Sequence, residues 1–184
     1  MYVEYEASYI EVCPYCNKRT LVVREAVHSE PHIGRALLVS RKCTSCGYRR
    51  SEVIPLERKK RKIVAYRASG AEGLYAKVVR SSTALVYIPE LGATIDPGVD
   101  APLFVTNIEG LLRRVEDAAV SMRVLALDEE TRKRADAVIK AVRECREGKR
   151  EITVIIDDPA GLSSILPPKE KRGCVIEEYP EGEG

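Results

Sequence analysis

Four of the six cysteines fall into two pairs, Cys13 with Cys16 and Cys43 with Cys46, giving the pattern C-x2-C-x26-C-x2-C. A two-residue gap lets one tight turn aim both sulfurs at a single ion while backbone amides donate to them, which is zinc chemistry. The residue after each second cysteine then needs a left-handed backbone, and Asn17 and Gly47 are the two residue types that tolerate it best. Four thiolates close a tetrahedron and leave no position for water, so Cys13, Cys16, Cys43 and Cys46 are expected to hold one structural zinc. Such binding contributes about 10 kcal/mol or more to folding in small finger peptides, so a ribbon with little core of its own would depend on it.

A finger with two cysteine and two histidine ligands competes, because His28 and His32 follow the first pair. It needs both histidines on one helix, and Pro31 between them would remove an intrahelical hydrogen bond. The alternation in "RALLVSRK" also suits a strand, so both histidines are read as polar loop residues. Cys145 lies on an apolar helical face and is expected in the core; Cys174, in the tail, receives no role.

A second stretch, "VIIDDPAGLSSI" at residues 154–165, delivers two carboxylates from an apolar run to a Pro-Ala-Gly turn. Asp157 and Asp158 could be catalytic acids or metal ligands, could meet a partner, or could close the turn by accepting backbone N–H bonds, with Pro159 and Gly161 setting its dihedrals. The turn reading stands first and partner contact second. No G-x-x-x-x-G-K-[ST] loop supplies a phosphate cradle and no G-x-S-x-G elbow is present, so no catalytic residue is assigned.

These residues need elements to position them. A chain of 184 residues that is 45% hydrophobic suffices for a small module joined to a medium one. No apolar run is long enough to cross a bilayer, and the N-terminus lacks a basic signal region, so a cytoplasmic location without membrane contact is expected. Reduced thiols there favour metal over disulfides. Charge is uneven: residues 1–67 carry 14 Lys/Arg against 7 Asp/Glu, and residues 68–184 carry 16 against 21. The absence of glutamine and the 32% charge lean towards a thermophile.

Around the cysteines, "TLVVREAV", "RALLVSRK" and "YRRSEVIPL" read as three short antiparallel strands, a ribbon over 1–56. The basic run 57–62 follows, read as a solvated linker or charged edge in preference to a nucleic-acid patch. Short β-like pieces then fill 62–106: "KIVAYRA", "LYAKVVRS", "ALVYIPEL", "ATIDPG" and "PLFVT". Thr106 and Glu109 form a capping-box pattern ahead of apolar residues from Ile108 to Met122 at helical spacing. A second helix is expected from Asp128 to Gly148, and "REITVIID" returns to strand. "CVIEEY" could add a last strand to a charged tail. The fold class is mostly β, with a helical hairpin over about 107–148 inside a second unit, 57–184.

With both halves in place, the chain resembles the ZPR-type zinc-ribbon family (zinc finger protein ZPR-one) in its short archaeal form. The segments that carry the resemblance are "CPYC", "EPHIGRALLVSRKCTSCGYRRSEV", "SSTALVYIPELGATIDPG", "TNIEGLL" and "VIIDDPAGLSSI", in the family's order over about 13–165. The resemblance implies a four-cysteine ribbon followed by a double-stranded β-helix domain with an inserted helical hairpin. It implies zinc on Cys13, Cys16, Cys43 and Cys46, and places the family's Asp-Asp-Pro turn on Asp157, Asp158 and Pro159. It implies binding of translation elongation factor 1-alpha and assistance to its folding, with the hairpin or the "IPELG" edge forming much of the contact. Eukaryotic members carry two such modules and this chain carries one, so the avidity of linked sites is not expected. The alternative is a nucleic-acid-binding ribbon using Lys59–Lys62, Arg49 and Arg50; a small hydrolase at Asp157 and Asp158 comes third.

Overall fold

The computed structural model describes residues 3–30, 34–57, 59–98, 101–168 and 175–180. His32, Arg58 and Cys174 lie outside them. Four antiparallel strands form the first sheet in the order β1 (Val3–Glu11), β2 (Leu21–Glu30), β3 (Gly34–Cys43), β4 (Arg49–Pro55). Sequence reasoning expected three strands; β1 was missed because "VEYEASYIE" is charged and largely exposed on both faces. It pairs with β2 over Glu11↔Leu21 to Val3↔His28. His28 therefore sits in a strand rather than a loop. The apolar content of this sheet is small: Leu21, Val23 and Val39 pack with Cys13 and Cys43.

The second unit stacks two antiparallel sheets. One contains β5 (Lys62–Ala68), β7 (Leu85–Ile88), β8 (Ala93–Ile95), β10 (Ile152–Asp158) and β12 (Val175–Glu178), ordered β12-β5-β10-β7-β8. The other is β11 (Ser164–Leu166), β6 (Lys77–Arg80) and β9 (Phe104–Asn107). Strands β5 and β10 alternate strictly, with Val64, Tyr66, Val154 and Ile156 fully buried and their neighbours less so. That period-two pattern places one face of the sheet on the core. "CVIEEY" supplies the expected extra strand in part, and a short helix α1 (Gly70–Gly73) appears where none was expected.

Helices α2 (Ile108–Leu125) and α3 (Glu129–Arg146) form the hairpin. Ile108, Leu111, Leu112 and Val115 of α2 and Val142 and Cys145 of α3 join the sheets in one core. The Thr106 capping box is corrected: the N-cap is Asn107, whose side-chain oxygen accepts from the Gly110 N–H at 2.8 Å. Asn shifts the cap by one residue because its carbonyl reaches the N3 amide as well as a hydroxyl does. Asp128 caps α3 by accepting from the Thr131 N–H at 2.7 Å.

The ribbon sheet touches the second unit through a small cluster of Ala36 and Val53 with Val79 and Leu103. The chain between them is docked as well, as described below.

Candidate metal centre and the acidic turn

Each cysteine pair sits on a tight knuckle. The Asn17 N–H donates to the Cys13 carbonyl at 2.9 Å, and the Gly47 N–H to the Cys43 carbonyl at 3.2 Å. These closures require the left-handed backbone that the spacing implied: φ is 56° at Asn17 and 77° at Gly47, and Asn17 is the one non-glycine with positive φ among the described residues. The pairing of β2 with β3 places Leu21 opposite Cys43, which brings the knuckles together.

The four sulfurs lie within 4.8 Å of one another. Cys13 Sγ is 3.7 Å from Cys46 Sγ, and Cys16 Sγ is 3.7 Å from Cys43 Sγ. A tetrahedron with Zn–S bonds of about 2.3 Å has edges of about 3.8 Å, so the donor set fits zinc in both chemistry and size. The electrostatics point the same way. The Cys43 thiol is held down to about 6, first by the Thr20 hydroxyl at 3.2 Å and then by the Cys46 N–H. Cys46 is pushed up to about 12: the Tyr48 amide favours its thiolate, but desolvation and the three neighbouring sulfurs oppose it more strongly in sum. Four thiolates cannot crowd together without a cation, and a divalent ion removes that conflict. This is a structural zinc site with all four positions taken by protein.

The two acids of "IIDDPAG" take different parts. Asp158 is fully buried. Its Oδ1 accepts from Ser81 Oγ and Thr83 Oγ1, both at 2.8 Å, and from the Ala160 N–H at 3.0 Å; Oδ2 accepts from the N–H groups of Leu162 and Ser163 at 2.8 and 2.7 Å. Burial alone would raise its pKa, but hydrogen bonds from Ser81, Ser163 and Thr83 outweigh that and hold it below the ordinary value. A carboxylate so enclosed has no lone pair aimed at solvent and no room for substrate. Asp157, on the opposite strand face, forms a two-pronged pair with Arg61 at 3.0 and 2.6 Å.

The turn also holds the connector between the two units. The Lys59 N–H donates to the Ala160 carbonyl at 3.1 Å. Gly161, at φ 67°, lies so close to the Lys60 carbonyl that a Cβ would overlap it. Pro159 is exposed at the turn's outer corner. The basic run is thereby drawn into the fold: Arg61 is paired, and Lys62 is buried beside Glu177 at 3.6 Å. Sequence reasoning missed Ser81 and Thr83 because their partner lies far along the chain. The "SSTALVY" segment was visible, its acceptor was not.

Comparison with known proteins gives a match to the ZPR1 jelly-roll domain over residues 72–183. A ZPR1-like protein of Methanocaldococcus jannaschii is 38% identical over 155 residues, 84% of this chain and 78% of that protein. The chain belongs to the ZPR1 family. A second ZPR1-like protein, from Pyrococcus horikoshii, is 36% identical over 86% of this chain and 73% of its own length. The zinc finger chaperone zpr1 of Schizosaccharomyces pombe is 30% identical over 91% of this chain, but that match spans only 38% of the longer protein. The two stacked sheets are thus the ZPR1 jelly roll, and the four-cysteine ribbon precedes it. Among the described residues no helix is long and apolar enough to cross a membrane.

Proposed function

We propose that this ZPR1-family chain is a non-catalytic cytoplasmic interaction module that binds translation elongation factor 1-alpha and assists its folding. One observation carries the reading: an apolar groove of about 840 Å³ between strand β8 and the helical hairpin. Its sheet wall runs from Leu91 to Asp96, continuing the "IPELG" edge, and its helix wall includes Val115, Ala118, Met122 and Val138. The end of the "IPELG" edge, Leu91 and Gly92, and the hairpin, the two surfaces favoured from sequence, thus border one groove. Strand β8 is the outer strand of its sheet and can accept a further strand.

The hairpin tip extends the apolar surface. Val124, Leu125 and Leu127 are 73%, 76% and 100% exposed. Contiguous exposed leucines of this kind mark a protein contact, because burying each contributes about 1.5–3 kcal/mol. The kinship to a protein named a zinc finger chaperone supports the same reading. Refolding of denatured archaeal elongation factor 1-alpha, with and without the zinc-loaded chain, tests it. A higher yield with the native chain and no gain with Leu125→Asp/Leu127→Asp supports the proposal; equal yields in all three arms, with no capture of the factor, oppose it.

A further inference from the structure

The ribbon sheet carries its cations on two faces in different ways. On the face towards the zinc core, Arg41 and Arg50 both pair with Glu52, and Tyr9 donates to Glu25. The opposite face is built by the rungs Ile10–Val22–Lys42–Arg49 and Ser8–Arg24–Ser40–Ser51, read from the strand registers. It presents Arg24, Lys42 and Arg49 with the hydroxyls of Ser8, Ser40 and Ser51, all exposed. None of these three cations has an ion-pair partner among the described residues. Lys42 stands directly opposite Arg49, a like-charge pair that destabilises a sheet unless something anionic covers it. A shallow hollow of about 270 Å³ opens among Val22, Arg24, Ser40, Lys42 and Thr44. The nearest carboxylate on this face, Glu6, sits one rung further on, opposite Ala26.

We propose that this face binds the phosphate backbone of single-stranded nucleic acid. Cations without carboxylates, interleaved with hydroxyl donors, are the chemistry of phosphate recognition. The aromatic component lies beyond the end of this band, at the knuckles, where Tyr48 packs on the zinc core and so leaves the sheet on the side away from Arg49. Arg49 follows Tyr48, on which Tyr15 stacks with ring centroids 6.5 Å apart and planes within 10°. Tyr15 is 79% exposed, so its outer surface is open to a base. The site differs from the connector segment 58–62, whose Arg61 and Lys62 are consumed by Asp157 and Glu177. It also lies apart from the hairpin groove, so it stands or falls independently of the protein partner.

The test is fluorescence anisotropy of a labelled 20-nucleotide poly(U) RNA with the full zinc-loaded chain, at 50 and 200 mM salt. The native chain binds, and affinity falls steeply with salt as counterions are released. The triple variant Arg24→Ala/Lys42→Ala/Arg49→Ala loses at least about tenfold in affinity, and the salt slope drops by about 2, since each lost phosphate contact on a single strand removes about 0.7. Tyr15→Ala weakens RNA but leaves heparin binding unchanged. A charge-matched control, Arg113→Ala/Lys133→Ala/Lys140→Ala on the hairpin, keeps the native affinity. Zinc content and circular dichroism of each variant establish that it is folded. No RNA binding by the native chain at 50 mM salt overturns the proposal, as does equal loss in the control. Heparin binding as tightly as RNA, with Tyr15→Ala without effect on either, also overturns it and reduces the face to a general polyanion surface.

Discussion

Ser81 and Asp158 stand 77 positions apart, and the Ser81 hydroxyl donates to the Asp158 carboxylate at 2.8 Å in the interior of the jelly roll. Ser163 closes the circuit, its Oγ accepting from the Ser81 N–H at 3.0 Å while its own N–H donates to Asp158. One buried charge thus ties the end of β10, the following turn and the loop after β6. Asp158→Asn keeps one acceptor oxygen but sets an amide NH2 against the two donors on Oδ2 or the three on Oδ1. Urea denaturation is expected to show a loss of about 2–4 kcal/mol, the cost of leaving buried groups unpaired.

The same carboxylate sets an acid limit. Its pKa is lower folded than unfolded, so its stabilisation is complete above the unfolded value of about 3.9 and is lost as pH falls through the folded value. Unfolding free energies measured from pH 6 down to pH 2 are expected to fall more steeply for the native chain than for Asp158→Asn.

Asp157 differs although it is adjacent. Its pair with Arg61 is partly solvated, with the two side chains 32% and 53% exposed. Asp157→Ala is expected to cost no more than about 1 kcal/mol by the same denaturation, as for other surface ion pairs. A loss matching that of Asp158→Asn would mean that the connector, not the turn, holds the two units.

Much of the site could be read from sequence where its cause is local. The knuckles followed from cysteine spacing and from Asn17 and Gly47, because a turn's dihedrals are dictated by the residues in it. The apolar face of α2 was legible for the same reason, although Met122 proved half-exposed in the groove rather than buried. What was not legible has partners far along the chain. Nothing near Arg61 announces Asp157, and nothing near Lys62 announces Glu177, so the basic run read as a solvated linker or charged edge. Strand β1 was hidden because its pairing with β2, not an apolar face of its own, makes it a strand.

Two glycines test the turn geometry. Gly161→Ala meets both a positive φ and the Lys60 carbonyl, whereas Gly92→Ala at φ 56° meets nothing within 4 Å. Calorimetry is expected to show a loss of about 1 kcal/mol for Gly92→Ala, the left-handed penalty alone, and at least about 3 kcal/mol for Gly161→Ala, where a clash is added.

Zinc removal is expected to act on one unit. The ribbon has only a few buried apolar residues, while the jelly roll has its own core. Hydrogen exchange after chelation is expected to show β2 and β3 exchanging freely while β5 and β10 keep their protection.

X-ray absorption at the zinc edge of the purified chain tests most directly whether this is a closed structural metal site, leaving function to the surfaces around it. The account requires one zinc per chain with four sulfur neighbours at about 2.3 Å and no lighter ligand. A shell containing oxygen or nitrogen, or a well-folded ribbon without metal, would contradict it.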